Sequence, residues 1–169
     1  VALDLDHKYQ VGLALRAGTG YRVIAPYGEG QPCGDADERV CDGRVPLWIE
    51  VSPSFGITPW LEVLLDVRFS PEADFTDTRA YQFSPGLKFY AGARERLKIY
   101  GTAQLLLDFQ QQVEGTAVRA FDAGVRSAVG LQFDFNRHVG LMAQGGVTLG
   151  FARWFSFAVN IGLGVQARY

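Results

Sequence analysis

The sequence predicts an all-β chain, an eight-stranded antiparallel up-and-down β-barrel that spans a membrane. Three observations predict it. Apolar residues occupy alternate positions almost from end to end: Tyr9, Val11, Leu13, Leu15 and Ala17 alternate with Gln10, Gly12, Ala14 and Arg16. The closing segment repeats the rhythm, with Phe155, Phe157, Val159, Ile161, Leu163, Val165, Ala167 and Tyr169 set against Ser156, Ala158, Asn160, Gly162, Gly164, Gln166 and Arg168. Side chains alternate faces along a strand, so each segment has one apolar and one polar face. The second observation is length: the segments run to about ten residues between turn residues, as membrane strands do. The third is that 48% of the 169 residues are hydrophobic, yet mean hydropathy is only +0.03. No run of about eighteen apolar residues exists to make a spanning helix, whereas a barrel shows lipid only every second residue.

The elements follow in order. A first strand is expected from about His7 to Thr19, then a long outer loop over residues 20–44 with Cys33, Cys41 and the acidic residues Asp35, Asp37, Glu38 and Asp42. The second strand, about Val45 to Ile57, turns Val45, Leu47, Ile49, Val51, Phe55 and Ile57 outward and Trp48, Glu50, Ser52 and Ser54 inward. Thr58-Pro59-Trp60 is a tight turn into a third strand with Leu61, Val63, Leu65, Val67 and Phe69 on its outer face. After a loop over Pro71 to Thr78, a fourth strand presents Tyr81, Phe83, Leu87 and Phe89. Pro53 and Pro85 fall inside strands two and four, where each removes a ladder donor, and are expected to mark bulges or bends. The turn from Gly92 to Arg96 precedes a fifth strand with Leu97, Ile99, Ala103, Leu105, Leu107 and Phe109 outward. A polar loop, Gln110 to Gly115, separates it from a sixth with Phe121, Val125, Val129, Leu131, Phe133 and Phe135. Asn136-Arg137-His138 leads to the seventh (Val139, Leu141, Ala143, Val147, Leu149), and a tight connection near Ala152 starts the eighth.

Residues 1–169 therefore read as one domain, with no linker and with both ends on the side of the short turns. Long and short connections alternate, as in barrels with longer loops outside. Aromatics near strand ends (Tyr9, Trp60, Phe69, Tyr81, Phe109, Phe133, Phe135, Tyr169) fit two interfacial girdles. A soluble lipocalin-like barrel would keep its apolar face inside; a continuous apolar outer surface would aggregate in water. No charged segment followed by an apolar core opens the chain, so a secretory signal has been removed or was never present, and Val1 is expected to lie close to a processed N-terminus. A formal charge of −2 gives no basis for a nucleic-acid partner.

The polar face collects Arg16, Glu50, Glu62, Asp66, Arg68, Lys88, Lys98, Asp108, Asp122, Arg126, Asp134 and Arg168. Folding about Pro59 brings Glu50 near Arg68, a cross-strand ion pair. An eight-stranded barrel is only wide enough for its own side chains, so mixed charges in it neutralise one another and plug the lumen rather than conduct. Catalysis has little to stand on: His7 and His138 lie at the short-turn end and read as solvated turn residues. No outer loop holds a histidine beside a carboxylate or serine, as general-base chemistry requires. Cys33 and Cys41 are too few for a zinc site and fit a loop disulfide in an oxidising compartment. Neither a cofactor nor a metal site is expected, since the acidic loop residues lack the ordered ligands of an EF-hand.

The strand plan, the Gly-Ile-Thr-Pro-Trp-Leu-Glu-Val turn at Gly56 to Val63, the Phe-Ser-Pro-Gly-Leu segment at Phe83 to Leu87 and the aromatic C-terminus resemble small bacterial outer-membrane barrels of the OmpA/OmpX type. The resemblance implies a Gram-negative outer membrane, contact with its lipids and lipopolysaccharide, and a last strand read by the barrel-assembly machinery. Val165, Ala167 and Tyr169 occupy that signal, with tyrosine where phenylalanine is usual. A chain that stops at Tyr169 is expected to lack the peptidoglycan-binding domain of longer OmpA-like relatives. The expected function is a non-enzymatic envelope or adhesin-like barrel that meets an extracellular protein partner through residues 20–44. The alternative is a narrow pore for ions or small solutes.

Overall fold

A computed structural model describes residues 5–27, 40–76, 78–112 and 119–169. Eight strands follow one another in sequence order: β1 (Val11–Ala25), β2 (Cys41–Thr58), β3 (Leu61–Phe69), β4 (Thr78–Ala91), β5 (Leu97–Gln112), β6 (Arg119–Asp134), β7 (Val139–Gly150) and β8 (Phe155–Arg168). Each pairs antiparallel with the next, and β8 returns to β1 from Gly12↔Arg168 to Ala25↔Phe155, closing the sheet. Closure leaves no edge whose backbone groups lack partners, which is the condition for a sheet to stand in lipid. The connections 59–60, 92–96 and 135–138 lie on one side with the C-terminus (the turn side). The strand ends at Ala25, Cys41, Phe69, Thr78, Gln112, Arg119, Gly150 and Phe155 lie on the other (the loop side).

The two faces are inverted relative to a water-soluble protein. Leu13, Leu15, Leu105, Val129, Ile161 and Leu163 are all more than half exposed, whereas Glu50, Glu62, Asp66, Lys98 and Asp108 are buried. A belt of that extent requires hydrocarbon as its solvent. Aromatic side chains gather at its margins. Trp60 stacks on Phe89 with ring centroids 6.5 Å apart and Phe133 meets Phe135 at 5.3 Å on the turn side. Phe109 bridges Phe83 and Phe121 towards the loop side.

Four expectations are corrected. The first strand begins at Val11 rather than His7, because Tyr9 adopts a left-handed backbone (φ 60°) that ends the extended run. It continues to Ala25 and β2 already starts at Cys41, so the first connection is 26–40, not 20–44. Val45 does not face lipid. Between the pairs Gly18↔Trp48 and Gly20↔Val45, β2 uses one residue more than β1, a bulge that reverses which β2 side chains point inward. Pro53 and Pro85 mark no bulge. The β2–β3 ladder keeps its register from Val51↔Val67 to Ser54↔Leu64, as β4–β5 does from Phe83↔Leu107 to Gly86↔Gln104. Both prolines point to lipid, and each interrupts pairing with one neighbour while its ladder with the other, Leu13↔Pro53 or Leu65↔Pro85, persists.

Candidate functional site

The inward face is the site. Among the described residues, seven cationic and six carboxylate side chains are buried on it, and Asp74 reaches in from the loop side as a further carboxylate near Arg22. The near balance of sign is what makes such a lumen tolerable, since a buried charge without a partner is strongly destabilising. These groups sort into three layers.

The middle layer spans the barrel. Glu50 on β2, fully buried, is held by Arg68 of β3 (Nε to Oε2, 2.9 Å) and Arg126 of β6 (Nη1 to Oε2, 2.5 Å), and Arg16 of β1 lies at 2.9 Å through its Nε. Asp66 accepts from Arg16 at 2.6 Å and from Gln104 Nε2 at 2.7 Å, and also from the Ser52 hydroxyl. Arg16 donates its remaining Nη1 to Gln144 Oε1 at 2.9 Å. Strands one, two, three, five, six and seven thus contribute to one connected array. The Arg68 guanidinium lies 3.7 Å from the ring centroid of Trp48, an aromatic face that favours a cation. The indole fits because Gly18 and Gly162 carry no side chain: a Cβ on either would come within 2.4 Å of the ring.

The turn-side layer holds Glu62, Asp134, Lys88, Lys98 and Arg168. Arg168 pairs with Glu62 and donates to the Tyr90 hydroxyl at 2.7 Å, and Tyr90 donates to Glu62 at 3.1 Å. Lys98 lies 2.5 Å from Asp134. Lys88 donates to Gln132 Oε1 at 3.1 Å and faces the rings of Tyr90 and Tyr100 at 4.8 and 4.1 Å. His7 corrects a further expectation. It is buried rather than a solvated turn residue, with Nε2 at 3.0 Å from Asp134 and Nδ1 at 3.1 Å from Glu62. His138, by contrast, is exposed in its turn, with Nδ1 3.0 Å from the Arg168 carbonyl.

The loop-side layer is acidic. Asp108 and Asp122 are paired opposite one another on β5 and β6. Arg22 lies 3.6 Å from Asp108 and 3.8 Å from Asp74. Asp122 uses its carboxylate on backbone, accepting from the N–H groups of Ala123 (2.9 Å), Ala152 (2.9 Å) and Arg153 (3.1 Å), which fixes the 151–154 connection. A cavity of about 40 Å³, bordered by Arg22, Ser70, Asp74, Thr78, Gln82 and Asp108 among others, lies in this layer.

All twelve charged positions expected on the polar face are inward and buried. Sequence reasoning missed Arg22 and Asp74, both assigned to loops, and His7. Arg22 was detectable, since Tyr21-Arg22-Val23 continues the alternation past Gly18 and Gly20. Of the expected disulfide, Cys33 lies outside the described residues; Cys41 is buried at the start of β2 in a small cluster with Ile24 and Trp154. Asp35, Asp37 and Glu38 also lie outside them, whereas Asp42 is on β2 and accepts from the Tyr21 hydroxyl. Val165, Ala167 and Tyr169 share the lipid face of the chain end, with Tyr169 87% exposed.

No protein-family model matches the chain, and no curated protein matches it. Solved structures do. The N-terminal β-barrel domain of Pseudomonas aeruginosa OprF superposes with a TM-score of 0.64 at 16% identity, over 96% of this chain and 98% of that one. Neisserial surface protein A gives 0.69 at 14% identity over 95% and 97%. Ail, the attachment invasion locus protein of Yersinia pestis, gives 0.56 at 11% over 96% and 99%. At such identities the likeness establishes the fold, that of small eight-stranded outer-membrane barrels.

Proposed function

We propose that the chain is an integral outer-membrane barrel whose lumen is closed by its own ion pairs. On this reading it serves the envelope as a structural or surface-interaction (adhesin-like) protein through its loop-side connections, and it is not an enzyme. The single observation that carries the closed lumen is the grip on Glu50, which three arginines from three different strands hold across the barrel. A transported ion would have to break several charge-assisted bonds at once. The surface role is supported by the asymmetry of the connections, the longest of which, 26–40, stands on the loop side, and by likeness to Ail, a protein named for attachment and invasion. The remaining partners follow from the setting. Outer-membrane lipids and lipopolysaccharide cover the apolar belt, the assembly machinery reads Val165, Ala167 and Tyr169, and a Cys33–Cys41 disulfide clips the first loop.

The test is to replace residues 28–39 by a short Gly-Ser connection and compare binding of the folded barrel to host-cell surfaces with that of the full chain. Binding that falls while the barrel still folds supports a surface role; undiminished binding removes the loop from it. A narrow pore is the second reading, favoured by the loop-side cavity beside Arg22 and Asp108. Its signature is stepwise conductance in a planar bilayer.

A further inference from the structure

We infer that the segment Leu5–Gln10 is a built-in plug that closes the turn-side mouth of the barrel. This closure is separate from the mid-lumen ion pairs, which lie one layer deeper. A chain entering β1 has no need to turn into the mouth of the barrel, yet this one does. Leu5 and His7 are both buried. Lys98 donates to the Leu5 carbonyl at 2.6 Å and lies 2.6 Å from His7 Nε2. The imidazole sits between Asp134 and Glu62, edge-on to the Tyr90 ring at 4.8 Å. The main chain is held as well: Tyr9 N–H donates to the Gly56 carbonyl at 2.8 Å, and Gly56 N–H to the Gln10 carbonyl at 3.0 Å. The left-handed turn at Tyr9 lets the segment leave the mouth and enter β1.

Gly56 is the receptor side of the same device. A Cβ there would lie 1.8 Å from the His7 carbonyl oxygen, so the barrel wall leaves a side chain out where the segment crosses. Glycine weakens a strand interior and is found where another backbone approaches closely. Side chains of β3, β4, β5 and β6 (Glu62, Tyr90, Lys98 and Asp134) converge on the segment, more partners than a fraying terminus acquires. With the segment displaced, these groups would line a water-filled vestibule reaching up to the tyrosine layer of Tyr90 and Tyr100.

The test reads that vestibule directly. Met142, inward and packed with Tyr90 and Tyr100, is replaced by cysteine in a background carrying Cys33→Ser and Cys41→Ser, and its reaction with a membrane-impermeant thiol reagent is followed. Two variants displace the plug by different routes: Leu5→Ser/His7→Ser removes its anchors, and Gly56→Ala places a methyl in its path without touching a lumen charge. Retained heat-modifiable mobility on gels confirms that each barrel is folded. The expected result is labelling faster by about tenfold or more in both, the gain that follows when a local opening becomes much easier. Labelling as slow as in the parent, in either folded variant, overturns the inference.

Discussion

Arg126 on β6 reaches Glu50 on the diametrically opposite strand β2, with 2.5 Å between Nη1 and Oε2. The two residues are 76 positions apart in sequence, and the bond between them crosses the full width of the lumen. Arg16 and Arg68 join the same carboxylate from the intervening wall. Glu50 is therefore an anion shared by three buried guanidiniums, with Asp66 taking a share of two of them.

Removing that anion exposes the dependence. Glu50→Ala is expected to destabilise the refolded barrel by about 3–5 kcal/mol, because it strands buried cations. Glu50→Ala/Arg68→Ala should lose less than the sum of the two single changes, since the second removes a cation the first left unpaired. Urea unfolding in lipid vesicles, followed by tryptophan fluorescence, measures both.

The Trp48 pocket predicts a size-dependent clash and its relief. Gly162→Ala pushes a methyl against the indole, and overpacking of this kind costs about 1–3 kcal/mol. In a Trp48→Leu background the same change should be close to neutral. An equal loss in both backgrounds would show that the glycine answers to something other than the indole.

Face assignment can be tested from the lipid side. Leu131 points outward at half exposure, so Leu131→Arg should cost about 2–4 kcal/mol if it lies near the bilayer midplane. Its neighbour Gln132 is buried in the lumen beside Asp134 and Lys88. Gln132→Leu should instead loosen the turn-side layer, lowering the unfolding midpoint without impairing insertion into vesicles.

At Pro85 the ladder to β5 is missing while register continues on both sides. Pro85→Val restores a donor on a lipid-facing position with high strand propensity. One regained hydrogen bond is worth about 0.5–1.5 kcal/mol, and a raised unfolding midpoint is the expected outcome. A loss of stability would mean that the proline shapes the strand.

The prolines also show where the sequence stops being legible. Alternation identified eight strands, and the inward set down to Arg168, because a period of two is a local signal that a one-residue slip would invert. The same signal could not show which ladder Pro53 interrupts, since an in-register interruption leaves the outward pattern of Val51 and Phe55 intact. Nor could it locate the bulge at Pro46–Leu47, where the outward pattern does break and turns Val45 inward. His7 was read as a turn residue because its partners, Glu62, Lys98 and Asp134, come from strands far along the chain. The crossing from Arg126 to Glu50 was hidden for the same reason, whereas Glu50–Arg68, brought together by one hairpin, was visible in advance.

The closed lumen is tested most directly by single-channel conductance of the refolded barrel in a planar bilayer, with Glu50→Ala/Arg68→Ala recorded beside it. The ion-pair account predicts no stepwise current from the native barrel and intermittent openings from the variant. Steady, reproducible conductance from the native barrel, unchanged in the variant, would contradict it.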